Sequence, residues 1–296
     1  MLSRIITAAA ILSVAVLALP VNVQADDTLL RPYVLASSGT GTIVSKLPEV
    51  KASLAQHGFT IAGEYSPYKG AHILAVTNDL LKDNAAKTEL GVYGAVERIS
   101  LTETSAGLQI AYANPLYFSP AYQMKGSFAD VAASLEKALG KKTDFGSANG
   151  LKPDKLLKYH YMVMMPYFKD QVHLATYASH DEAVKTVEAN LAARKGGCAK
   201  IYRVDLPGRK ASVFGVAITE GEGADATVMK VTDIGDLKHT AHLPYELIVS
   251  DGNVMMLHGK FRIAVDFPDL TMGTFMKISG APSAIEEKLK LIAGEK

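Results

Sequence analysis

The stretch Pro244–Ile278, PYELIVSDGNVMMLHGKFRIAVDFPDLTMGTFMKI, decides how the rest of the chain is read. It reads as a strand, a turn, a second strand, a stop at Pro268 and a segment leading into the last helix. The proline fits the end of a strand because it cannot donate to a sheet ladder. A fainter version lies at Ala95–Met124, AVERISLTETSAGLQIAYANPLYFSPAYQM, where Leu108, Ile110 and Tyr112 alternate as a half-buried strand should and Pro115 ends the run. Taken as two copies of one unit, these stretches make the chain a doubled α/β module.

Working outward from the two hairpins, the same order of elements precedes and follows each. In the first half, Pro48–His57 has helical spacing, Phe59–Glu64 and Ile73–Thr77 read as strands, and Phe128–Leu139 carries a helical stripe of Phe128, Val131, Leu135 and Leu139. In the second half, Ser179 with Glu182 makes a capping box for a helix over Asp181–Arg194. Strands are predicted over Lys158–Tyr167, Val172–Ala178, Ala199–Val204 and Ser212–Thr219, a weak helix near Ala226–Val231, and a closing helix over Pro282–Ile292. Val50–Ala55 parallels Val187–Ala192, and Ile110-Ala111 before Pro115 parallels Ile263-Ala264 before Pro268. The fold class expected is α+β: two similar two-layer α/β sandwich modules, each an antiparallel sheet with helices on one face. A polar, glycine-rich connection over 141–157 separates a first module at 46–140 from a second at 158–296, with 26–45 as an extended lead-in.

The first 25 residues read as a secretory signal. Met1–Arg4 carries one positive charge, an apolar run near 15 residues follows, and Val23-Gln24-Ala25 fits a small-residue cleavage site. That run is short of the roughly 20 residues a spanning helix needs, so no integral membrane span is expected after removal. The expected location is the periplasm. A net charge of +1 over 296 residues, without a basic block, argues against nucleic acid as a partner. The single cysteine, Cys198, has no internal disulfide partner and is either a buried, inert thiol or a reactive one.

Val96–Pro115 resembles the core of the domain of unknown function 302 family: a strand, an acidic turn with glycine, then a strand ending Tyr-x-Asn-Pro, here Tyr112-Ala113-Asn114-Pro115. Ile73–Asp79 is similar to the family's strand that ends in Gly-Asn-Pro, keeping Asn78 but carrying Thr77 and Asp79 at its flanks. The second half keeps only a proline and an acidic residue in Val265-Asp266-Phe267-Pro268. The resemblance implies a compact two-layer α/β fold, often dimeric, which a tandem duplicate could mimic within one chain. It implies no established activity.

No catalytic motif stands out: there is no nucleophile elbow, phosphate-binding glycine loop or His-Glu-x-x-His. Three sets of residues invite a chemical reading. Asn78, Tyr112, Asn114 and Asp266 fall at expected strand ends and form a candidate ligand-binding set, although asparagine before proline also organises turns. His160, Met162 and Met164 would share one face of the predicted strand, as would Met256 and His258. Thioethers with imidazole suit copper or haem iron, yet methionine equally fills irregular core gaps. The expectation is therefore an exported binding or accessory protein without a cofactor, its small molecule or periplasmic protein partner sitting between two modules. A copper or haem accessory protein and an enzyme of unrecognised type, with Cys198 as its nucleophile, are the alternatives.

Overall fold

The computed structural model describes residues 28–294; the stretch read as a secretory signal, with the cleavage expected after Ala25, lies outside them. The first half runs β1 (Tyr33–Gly39), α1 (Ile43–Gln56), β2 (Thr60–Tyr65), β3 (Ala71–Thr77), α2 (Asp79–Ala86), β4 (Glu97–Thr104), β5 (Gly107–Ala113), α3 (Pro115–Ala121) and α4 (Ala129–Leu139). A short strand β6 (Thr143–Phe145) and one helical turn α5 (Pro153–Leu156) lead to the second half. That half runs β7 (Val172–Thr176), α6 (His180–Ala192), β8 (Cys198–Asp205), β9 (Ala211–Ile218), α7 (Asp225–Thr232), β10 (Tyr245–Ser250), β11 (Asn253–Met256), α8 (Gly259–Asp266), α9 (Met272–Met276) and α10 (Ala281–Ala293).

Both sheets are antiparallel, with orders β2-β3-β4-β5-β1-β6 and β8-β9-β10-β11-β7. Apart from β6, the second sheet repeats the first strand for strand. Even the irregularities agree: the β2–β3 register slips between Ile61 and Gly63, and the β8–β9 register slips between Lys200 and Tyr202. The α+β two-module reading therefore holds. The Val50 and Val187 fragments lie in step on α1 and α6, whose N-caps Thr42 and Ser179 each accept a backbone N–H.

Alternation along the strands sorts the side chains into layers. On β3, Leu74 and Val76 face α1 and α4, while Ile73 and Ala75 face the other half. On β9, Phe214 and Val216 pack with α6 and α10, while Val213 turns inward. The helix-free faces of the two sheets thus meet, giving helices, sheet, sheet, helices. Gly63 makes the closest approach possible: a Cβ there would lie 2.0 Å from the carbonyl oxygen of Ile201 on β8. Among the described residues no helix is long and apolar enough to cross a membrane.

Five sequence expectations are corrected. The lead-in 26–45 holds β1, which pairs with both β5 and β6, and α1 starts at Ile43 rather than Pro48. The connection 141–157 contributes β6 to the first sheet. Lys158–Tyr167 is an irregular loop: Met162, Val163 and Met164 are 45%, 83% and 98% exposed, and Met164 adopts φ +68°, off any strand. Ile263-Ala264 belongs to helix α8, so its parallel with Ile110-Ala111 on β5 fails. The counterpart of Asn114 is His258: each caps the helix after its hairpin by accepting the N–H two residues on, from Leu116 and Lys260.

Candidate functional site between the two halves

Charged residues are buried where the two sheets meet. Arg98 on β4 pairs opposite Ala75, and Glu246 on β10 pairs opposite Gly215, so the two occupy corresponding positions in the repeated sheets. They meet each other: Arg98 Nη1 lies 3.3 Å from Glu246 Oε2, with both side chains under 5% exposed. Arg98 Nε also donates to the Ala241 carbonyl at 2.9 Å, and its guanidinium lies over the Phe118 ring at 5.4 Å. Tyr202, lying across bare Gly215, donates to Glu246 Oε1 at 2.5 Å. A symmetric pair of identical modules would put like charges together here; the sequence difference between the halves supplies opposite ones.

A second buried cluster surrounds Asp266 on α8. It accepts from Tyr33 Oη at 2.7 Å and from Arg262, and His242 Nδ1 lies 3.3 Å away. Burial alone would raise the Asp266 carboxyl, but Arg262 and then His242 override it and hold it well below the usual carboxylate range. Burial, reinforced by the Arg262 charge, pushes His242 down to about 4, so it is a neutral hydrogen-bonding ring at neutral pH. Burial likewise holds His239 at about 4.

Beside these clusters a groove of about 420 Å³ opens to solvent between the halves. Tyr68, Lys69, Gly70, Thr102 and Glu103 line it from the first half, and Ala226, Met229, Lys230, Asp233 and Lys238 from the second. Two of the lining residues are tied to the buried Thr240 behind them, Tyr68 Oη to Thr240 Oγ1 at 3.0 Å and Thr102 Oγ1 to Thr240 Oγ1 at 2.9 Å. Lys238 Nζ donates to the Asp233 carbonyl at 3.1 Å, whereas Lys69 and Lys230 have no ion-pair partner among the described residues. Burial raises the Asp233 carboxyl to about 6. No group of three or more His, Cys, Asp or Glu side chains among the described residues is arranged to hold a metal ion.

The residues singled out from sequence fare differently. Asn78 caps α2 through the Leu81 N–H at 2.8 Å, and Asn114, which caps α3, also donates to the Arg31 carbonyl at 2.9 Å. Tyr112 is packed in the first half's helix-side core. Asp266 alone of the four stands at the junction between halves, and no hydrogen bond joins any two of them. Met256 fills the second half's core, so the packing reading of that methionine is the structural one. His160, Met162 and Met164 share the exposed loop, where His160 Nδ1 lies 2.8 Å from the Met162 carbonyl. Cys198 is fully buried at the start of β8, and burial pushes its thiol up to about 12, leaving no thiolate at neutral pH.

The residues missed were Arg98, Glu246, Tyr202, Arg262 and the groove lysines. One signal was available: a charged residue alternating within an otherwise apolar strand, as in Glu97-Arg98-Ile99 and Tyr245-Glu246-Leu247, sits on a covered face and needs a partner. Comparison of the chain with family models, with curated proteins and with solved structures finds no match in any of the three.

Proposed function

We propose that this chain is an exported binding protein that holds a small molecule bearing an anionic group in the groove between its halves. The observation that carries the reading is that unpaired lysines from both halves, Lys69 and Lys230, line one groove. A ligand spanning it with a carboxylate or phosphate gains both charges and bridges the modules. Groove walls from two packed domains are a common place for such pockets. The Tyr68 and Thr102 hydroxyls, held from behind by Thr240, offer neutral donors and acceptors to the rest of the molecule. Asp233 sets a pH signature: as it is protonated below about 6, the groove becomes more positive and anion affinity rises.

The repeated strand order supports reading the chain as a tandem duplicate of the domain of unknown function 302 type, one chain forming what two copies would form. Export is tested by cell fractionation. The ligand is tested by thermal shift of the full chain against mono- and dicarboxylates and phosphate esters at low salt. A ligand at about 100 times its Kd adds about 2.7 kcal/mol of stability. Stabilisation that Lys230→Glu abolishes supports the reading; no stabilisation by any anion removes it.

A further inference from the structure

A second cavity, separate from the groove, lies at the start of β4 in the first half. Glu97 lines it, is 6% exposed, and has no hydrogen-bond partner among the described residues. Such a carboxyl on the helix-covered face of a sheet is costly unless something meets it. The hydroxyl of Tyr122, a residue 2% exposed, lines the same cavity and also lacks a partner. The Glu97 carboxyl and the buried Tyr122 hydroxyl thus border one space with no hydrogen bond from the described residues to satisfy them. The free volume is about 10 Å³, room for one occupant of about water's size.

The walls say what kind of occupant. The rings of Tyr93, Phe118, Tyr122 and Phe128 line the space, and aromatic faces attract cations. Arg98 also borders it, but its charge is committed to Glu246, to the Ala241 carbonyl and to the Phe118 face. What remains uncompensated is the carboxyl of Glu97, with the Ser119 hydroxyl nearby on α3. We propose that the cavity beside Glu97 binds a compact primary ammonium group, as free ammonium or the tip of a small amine, through the Glu97 carboxylate with Tyr122 and Ser119 hydroxyls accepting its other protons.

Gly94 keeps the space open: a Cβ there would lie 3.0 Å from the Met124 methyl and 3.2 Å from the Phe128 ring. The groups acting on Glu97 are Arg98 on its own strand, Glu246 on β10, and the phenols of Tyr93, Tyr112 and Tyr122. Burial raises the Glu97 carboxyl to about 8, opposed by Arg98 and helped by Glu246. Binding a cation requires the ionised form, so binding releases a proton and affinity falls about tenfold for each pH unit below 8.

The test is thermal melting of the full chain in ammonium chloride, methylammonium chloride and sodium chloride at equal ionic strength, at pH 6 and pH 8. The proposal expects an ammonium-specific rise in Tm at pH 8 that shrinks at pH 6 and is absent from both Glu97→Gln and Gly94→Ala. An equal effect of methylammonium identifies the tip of an amine as the ligand, and an effect of ammonium alone identifies the free ion. An ammonium effect no larger than sodium's at both pH values, or one that Glu97→Gln retains, overturns it. Glu97→Gln removes a buried ionisable group and is expected to fold, so the test stands if Gly94→Ala does not. The groove lysines take no part, so failure here leaves the groove untouched.

Discussion

Replacing Arg98 by methionine should cost far more than any surface substitution, and replacing Glu246 as well should recover most of the loss. In the single variant, Glu246 stays buried with Tyr202 as its one remaining donor, and the Ala241 carbonyl loses its partner. Breaking a buried ion pair from one side costs about 3–5 kcal/mol. For a chain of this size that is a fall in Tm of roughly 6–20 °C. Adding Glu246→Leu removes the stranded charge, and apolar replacements of buried pairs come out near neutral in many cases. The double variant should therefore melt well above either single, with a coupling energy of about 2–3 kcal/mol in the mutant cycle. Exchanging the two charges, Arg98→Glu with Glu246→Arg, should recover less. The surroundings differ: a glutamate at 98 meets Phe118 instead of Tyr202, and an arginine at 246 lies near Arg262. Denaturant melts of the four chains provide the measurement. Additive single-variant costs would mean that the pair does not hold the halves together.

Three more outcomes are expected. Glu97→Gln should stabilise the chain at high pH and not at pH 4: the carboxyl is raised from 4.5 to about 8, so native stability is lost as pH rises between those values, by up to about 4–5 kcal/mol, and denaturant melts across pH would show it. Gly63→Ala should destabilise by about 1–3 kcal/mol in chemical denaturation, because its Cβ would meet the Ile201 carbonyl oxygen at 2.0 Å and force β2 and β8 apart. Cys198 should react with a thiol reagent only at the rate of unfolding; fast labelling of the native chain would contradict its burial beneath α6 and α10 and would reopen a nucleophilic role.

Local patterning carried the repeated frame. Ser179 with Glu182 announced α6, and the Val50 and Val187 fragments announced that α1 and α6 are counterparts. Helix α8 was hidden because it packs on every side. Phe261, Ile263 and Val265 imitate a strand's alternation, and Arg262, Ala264 and Asp266 between them are buried too, so no exposed face marks a helical period. The loop at 158–167 gave the opposite error. Its apolar side chains suggested burial, while the actual tip leaves Met164 in solvent and ties the segment down through Tyr159 and Tyr161 to the carbonyls of Ala264 and Leu270. The junction itself was not legible, because Arg98 and Glu246 are 148 residues apart and nothing local marks either as the other's partner. The groove lysines look like any solvated lysine until the fold sets Lys69 across from Lys230.

The groove is the centre of the account, and backbone amide shift mapping tests it most directly. A phosphate or carboxylate ligand found by thermal shift is titrated into labelled full-length chain. The account predicts that Lys69 and Gly70 from the first half move together with Lys230 and Asp233 from the second, along one binding curve, and that Lys69→Glu or Lys230→Glu removes both sets of shifts. Shifts confined to one half, or unchanged by either substitution, would contradict it.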